Sequence, residues 1–299
     1  MKKISIKLIQ YIIILLTVQT ILFFMFQVLP GNPAILRLGI ENADNEALKA
    51  VLEKNYNLND NIALSYYNWI KNLLFGDLGN SFTFENYTVK ELILPRLLET
   101  LKLSIPTIVF STAVGFTITI LLLIKDNKFT AIIKNLVVVG ISLPSFWIGI
   151  ILLNIFGINL GLFRNNSLML PILSLGIPST SLIVKYFYLS CLEESKKEYI
   201  EFLRINEISL FNITRHIFKN SIISFLGVFL SIFLSILTGS VLIENIFAIN
   251  GIGKLMVSSI KTYDYPVVQG IVLCYTLIIL LCSWIIDLIS IIIDKRLKI

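Results

Sequence analysis

The sequence predicts an all-α polytopic membrane protein with six transmembrane helices. Three observations carry that prediction. Of 299 residues, 56% are hydrophobic and 15% charged, against about 45–50% and about 25% in a soluble domain; the mean hydropathy is +0.84. Apolar runs of about 20 residues recur, the length an α-helix needs to cross a bilayer. The alternating ten-residue segments of a membrane barrel are missing, which leaves helices as the way to satisfy the backbone in lipid.

Lys2, Lys3 and Lys7 precede a first apolar run from Leu8 to Leu29. It is longer than a signal-peptide core and ends in Leu29-Pro30-Gly31-Asn32-Pro33 rather than a small-residue cleavage site, so residues 1–29 are expected to be a cytoplasmic tail and an uncleaved first span. Residues 30–100 are polar and mixed, with nine Asp or Glu against six Lys or Arg. They are expected to form an extracytoplasmic region of short helices, with helical spacing in LKAVLEKNYNL and YYNWIKNLL and a two-glycine turn at Phe75–Ser81. Residues 101–299 hold five further apolar runs, at 101–124, 132–156, 168–190, 222–246 and 267–292, with a charged loop at 191–220.

Lysine and arginine orient these spans. Three lie in the N-terminus, three in the loop 125–134, five in the loop 191–220 and three at the C-terminus, against Arg164, Lys254 and Lys261 on the opposite side. Both termini and the charged loop are therefore expected in the cytoplasm of a cell-membrane protein. The net charge of +6 follows from that topology and does not argue for nucleic acid.

Inside the spans, the fourth carries Pro171, Pro178 and then Lys185, which lies near the cytoplasmic end and can snorkel. The fifth carries Gly227, Ser231, Ser235 and Gly239 at four-residue spacing, with Ser224 and Thr238 nearby. Small residues at that spacing allow close helix packing; Ser231, Ser235 and Thr238 are equally a polar stripe along a substrate path. Glu244 and Asp287 are the acidic residues nearest the membrane interior. An ion-driven secondary carrier, the reading of another class, would more often show carboxylates deep in several spans.

Enzymatic readings fail on the residues. In Gly251-Ile252-Gly253-Lys254 the phosphate-loop pattern requires glycine at Ala248 and Ser or Thr at Leu255, and the dinucleotide pattern requires glycine at Met256. One histidine, His216, leaves no pair for a zinc site. Cys191, Cys274 and Cys282 have no metal spacing and read as packing residues. No catalytic group, metal or cofactor is expected.

The remaining feature is the charged, helix-compatible stretch Glu198–Asn220, EYIEFLRINEISLFNITRHIFKN, held between two spans. Ile205, Ile208, Leu210 and Phe211 could anchor it in a partner's groove, with Glu207, Asn212 and Arg215 at the rim. A helix lying on the membrane surface is the alternative.

Several stretches, in order, resemble the inner-membrane permease subunits of dipeptide, oligopeptide and nickel ABC importers, over nearly the whole chain. Leu29-Pro30-Gly31-Asn32-Pro33 is similar to the family's LPGDP. Gly76-Asp77-Leu78-Gly79-Asn80-Ser81 resembles its GDLGxS, and Ser142-Leu143-Pro144-Ser145-Phe146-Trp147 its SLPSFW. Glu244, Phe247, Gly251 and Gly253 resemble its ExxFxxPGLG. Asp264-Tyr265-Pro266-Val267-Val268-Gln269-Gly270 resembles its DYPVVQG, and Asp294-Lys295-Arg296 its C-terminal DPR. Glu198–Asn220 resembles the EAA loop, through Glu198, Tyr199, Arg204, Arg215, His216, Lys219 and Asn220.

That resemblance implies a type I importer fold. It implies ATPase coupling through Glu198, Tyr199, Arg204, Glu207, Ile208, Ser209, Arg215 and His216. It implies as partners a second homologous permease, two ATP-binding subunits and an extracytoplasmic solute-binding protein. The implied function is import of small peptides, with nickel or a metal chelate as the alternative. The loop departs from the pattern where Phe202 and Leu203 replace small residues and Glu207 stands at the usual glycine, which leaves the break between its two helices open to reshaping.

Overall fold

A computed structural model describes residues 2–28, 61–84, 86–124, 128–162 and 167–293. The LPGNP segment, the expected helix in LKAVLEKNYNL and the C-terminal Asp294-Lys295-Arg296 lie outside the described residues. Helices follow the apolar runs: α1 (Lys2–Val28), α2 (Ile62–Leu74), α3 (Val89–Ile124), α4 (Lys128–Ser142), α5 (Ser145–Leu152, running into a π-helical segment Leu153–Asn159), α6 (Met169–Ser195), α7 (Glu198–Ile205), α8 (Leu210–Ile246), α9 (Ile252–Lys261) and α10 (Tyr265–Ile293).

Five of these are long and apolar enough to cross a membrane, and a sixth crossing is formed if α4 and α5 with its π-helical extension are taken as one span bent by 99°. The span expected at 132–156 is thus a bent pair of helices. Pro144 causes the break. It has no N–H to continue α4 and sits extended at φ −63°, ψ 135°. Its carbonyl then accepts the first hydrogen bonds of α5, from Trp147 N at 3.1 Å and Ile148 N at 3.2 Å.

The chain divides into two compact units, residues 1–98 with 250–280 and residues 99–249 with 281–299. The first is built on α1, α2, the start of α3, α9 and most of α10. Val89, Ile93, Ile252, Val267 and Ile271 are buried together. A Cβ at Gly270 would lie 2.5 Å from Val89 Cγ1, so glycine is what admits this packing. Thr88 and Glu91 form a capping box at the head of α3, with Thr88 N donating to Glu91 Oε2 at 2.9 Å and Glu91 N to Thr88 Oγ1 at 3.3 Å, which satisfies two of the helix's free amides. Tyr66 on α2 joins α1 through a 2.8 Å hydrogen bond to Thr20, and Phe23 packs on Tyr66 and Trp69 with ring centroids 5.3 and 5.4 Å apart.

In the second unit, α6 and α8 are the central pair. Phe187 on α6 is fully buried among Phe116, Phe218 and Phe225, at centroid distances of 4.5, 4.9 and 5.2 Å. The contacts with Phe218 and Phe225 are edge-on, and such pairs add roughly 0.5–1.5 kcal/mol each beyond area burial. Close approach is again set by glycine: a Cβ at Gly140 would fall 2.1 Å from Ser181 Oγ, and one at Gly115 would fall 2.6 Å from Ile183 Cγ2. Buried Glu244 accepts from Thr100 Oγ1 at 2.6 Å and Ser240 Oγ at 3.4 Å, so this carboxyl is held by hydroxyls of α3 and α8.

Candidate functional site

The charged loop is a helical hairpin. Short α7 turns through Asn206–Ser209 into α8, which runs unbroken for 37 residues, about 55 Å at 1.5 Å per residue. That length exceeds the roughly 30 Å hydrocarbon core, so the same rigid helix that starts in the hairpin continues as the fifth span. The turn depends on one residue. Glu207 has φ +53°, the left-handed region that suits glycine and costs other residues about 1–2 kcal/mol. A break between the two helices is therefore present, with Glu207 in a conformation that glycine adopts freely. Backbone bonds hold it: Glu207 N donates to Arg204 O and Ile208 N to Leu203 O, both at 3.1 Å. Ser209 caps α8, its hydroxyl accepting from Asn212 N at 3.5 Å.

Glu207→Gly should accordingly be tolerated and slightly stabilising. Glu207→Val should cost more than the wild-type residue because a β-branched chain fits this φ worst. Thermal unfolding of the purified protein should rank Gly above Glu above Val.

The hairpin has a buried side and a bare tip. Ile200, Ile213 and Ile217 face inward and are 0, 4 and 5% exposed, whereas Phe202, Ile205, Leu210 and Phe211 are 64, 73, 75 and 77% exposed. Ile208 is also exposed, as are the charged or polar Glu198, Arg204, Glu207, Arg215 and His216 of the same hairpin. At the root, Glu194 from the end of α6 is buried. Its Oε1 accepts from Tyr199 Oη at 2.6 Å and Asn220 Nδ2 at 3.2 Å, its Oε2 pairs with Lys197 Nζ at 2.5 Å, and Asn220 Nδ2 also donates to Tyr199 Oη at 2.9 Å. Three helices thereby meet on one carboxylate. Burial, reinforced by the bond donated to Glu194, raises the Tyr199 phenol above its usual pKa, so it remains a donor near neutral pH.

Ser231, Ser235 and Thr238 lie farther along α8, about 24 Å or more from Arg215 at the helical rise. They are exposed, in line with exposed Ser224 and Gly227, while Ile232 and Ile236 behind them are buried. No described residue comes within 4 Å of a Cβ placed on Gly227, whereas one placed on Gly239 would lie 3.1 Å from Leu175 Cδ2. Close packing thus accounts for Gly239, and the remaining residues form an uncovered polar stripe.

The first unit carries two further features. Fully buried Asp264, just before α10, clasps the GDLGNS turn: it accepts from Ser81 Oγ, from Phe82 N at 3.0 Å and from Thr83 N at 3.1 Å. Beside this clasp, a cavity of about 530 Å³ is lined by Asn68, Asn72, Asn80 and Gln269 with Trp69 and Tyr265. The hydroxyls of Ser65 and Tyr265, both on its wall, are buried without a hydrogen-bond partner among the described residues.

Residues 111–299 match the family of binding-protein-dependent transport system inner membrane components, and residues 1–104 match that family's N-terminal region. The chain belongs to this family. It is a polytopic permease subunit of an ABC importer. Among its relatives, the dipeptide transport system permease DppB of Bacillus subtilis is 29% identical over 95% of this chain and 94% of its own. The nickel import system permease NikB of Staphylococcus aureus strain MRSA252 is 31% identical over 99% of this chain and 91% of its own; the NikB of strain USA300 is 30% identical over 97% and 90%.

Sequence reasoning on this permease singled out Tyr199 and Asn220 but not Glu194, to which both bind. Glu194 sits next to exposed Glu193 at a span end, and the two are indistinguishable until the helix phase is known. Asp264 was legible as part of a motif, but its bonds to residues more than 180 positions away were not.

Proposed function

We propose that this permease imports small peptides and draws its energy from ATPase subunits that seat on the α7–α8 hairpin. The carrying observation is the hairpin itself, with an exposed apolar tip and exposed Glu198, Arg204, Glu207, Arg215 and His216 on the same segment. That combination suits a groove with apolar pockets and a polar rim. A displacement of the tip would pass through the Glu194 root into α6 and α8 together. Two ATPases, a second related permease and a solute-binding protein complete the machine. Both termini and the hairpin lie in the cytoplasm, and ATP is hydrolysed on the separate chains. The polar stripe of Ser231, Ser235 and Thr238 is the wall this chain gives to the translocation path, closed by the second permease.

Peptide is favoured as the solute by the cavity of the first unit. Its primary amides, hydroxyls and aromatic rings offer donors and acceptors beside the one carboxylate of Asp77, which suits a short chain of peptide groups with a cationic amino end. Nickel is the second reading, supported by the identity to the nickel permeases.

Uptake of a labelled dipeptide and of labelled nickel, in cells with and without this chain and with its native partners present, tests the solute. Loss of dipeptide uptake alone is expected. Replacing Glu207 and Ile208 together by Pro and Asp should abolish uptake while leaving the chain in the membrane, and wild-type uptake by that variant would sink the coupling assignment.

A further inference from the structure

A second cavity, in the second unit, lies against α3, α4 and α6. It measures about 410 Å³ and is lined by Leu122, Val137, Val138 and Val184, with Lys134, Lys185 and Tyr188 among its walls. Its position follows from the packing above it. Gly140 draws α4 against Ser181, six residues along α4 from Lys134 and four residues along α6 from Lys185.

Two cations line this apolar groove, and among the described residues neither Lys134 nor Lys185 has an ion-pair partner. Their ammonium groups lie 5.4 Å from the Tyr188 ring and 5.6 Å from the Tyr186 ring. Lys134 is six residues, or about 9 Å, inside α4, and Lys185 is ten residues, or about 15 Å, before the end of α6. Both are therefore at the depth where a lysine stem meets headgroups. A soluble anion would suit the charges but not the aliphatic wall, and a neutral acyl chain would suit the wall but not the charges. We propose that this groove binds one anionic phospholipid of the cytoplasmic leaflet. Its phosphate lies between Lys134 and Lys185, with Tyr188 beside it, and an acyl chain lies along Leu122, Val138 and Val184. The leaflet rests on the orientation given under the proposed function; the binding itself does not. The lipid bridges α4 to α6, whose far end carries Glu194 and the hairpin.

The test is native mass spectrometry of the assembled importer, purified with phosphatidylglycerol or phosphatidylcholine. Wild-type complex should retain one phosphatidylglycerol. Lys134→Gln with Lys185→Gln should weaken that retention about thirtyfold, at roughly 1 kcal/mol per lysine. Lys128→Gln with Lys196→Gln, which removes two lysines outside the groove, should leave it unchanged. Lys134→Arg with Lys185→Arg should retain the lipid, which separates lost charge from lost folding. Equal retention of phosphatidylglycerol by wild type and the glutamine pair would overturn the site. So would equal retention of phosphatidylcholine by the wild type, displacement of the lipid by millimolar inorganic phosphate, or a cross-link from Val138→Cys to the second permease showing protein in the groove. Lipid retention is read without solute, so a failure of the peptide assignment leaves this outcome intact.

Discussion

Asp264→Ala should release the GDLGNS turn and abolish uptake without removing the chain from the membrane. The carboxylate is fully buried and accepts from one hydroxyl and two backbone amides of a distant segment. Each hydrogen bond to a charged group contributes about 1.5–3 kcal/mol, and donors left buried without an acceptor add their own penalty. The substitution should thus cost the clasp about 3–5 kcal/mol. Ser81 falls with it, since the hydroxyl that donates to Asp264 also accepts from Thr83 N at 3.1 Å and Phe84 N at 2.8 Å. Hydrogen exchange at Phe82 and Thr83 should accelerate by roughly a hundredfold or more, as 1.4 kcal/mol corresponds to tenfold. Asp264→Asn keeps one acceptor oxygen and should fall between the two. Amides of the α7–α8 hairpin, in the other unit, should keep their protection. Unchanged exchange at Phe82 and Thr83 would show that the carboxylate is not what holds the turn.

Much of this architecture is legible in the sequence because the bilayer leaves few alternatives. A run such as Leu8–Leu29 or 267–292 can satisfy its backbone only as a helix, and both are helical over their described residues. The run 132–156 is a span only as a bent pair of helices, and its hydropathy gives no sign of the bend, because the missing N–H of Pro144 breaks the helix without making the run less apolar. The hairpin was legible in outline, since charge between two spans marks a segment outside lipid. Ile205, Ile208, Leu210 and Phe211, expected as anchors, are exposed; the inward face was not legible, because Ile200 has the same side chain as Ile205 and opposite burial. Glu207 illustrates the limit from the other side. Composition argues against a left-handed residue there, yet the anchored helices on both sides determine the turn, and the side chain accepts the strain.

Glu194→Ala should uncouple the importer. The hairpin can act as a lever only if force at its tip reaches α6 and α8 before it is lost in bending at the root. That root is one carboxylate shared by Tyr199, Asn220 and Lys197. Lys197 is 59% exposed, so its ion pair contributes at most about 1 kcal/mol, and Lys197→Ala should leave transport close to wild type. The buried hydrogen bonds matter more. Tyr199→Phe removes one donor, at about 1–1.5 kcal/mol. Glu194→Ala removes the acceptor for both Tyr199 and Asn220, which keep only each other, and should cost about 2–4 kcal/mol at the root. Glu194→Gln preserves the shape and an acceptor oxygen and should keep most of the activity. The informative readout is solute transported per ATP hydrolysed in the reconstituted importer. That ratio should fall in the order wild type, Gln, Phe at Tyr199, Ala at Glu194, with ATP hydrolysis surviving in the last. A Glu194→Ala complex that transports with the wild-type ratio would mean that force travels through the Ile200, Ile213 and Ile217 packing alone, and the polar root would then be an anchor for folding only.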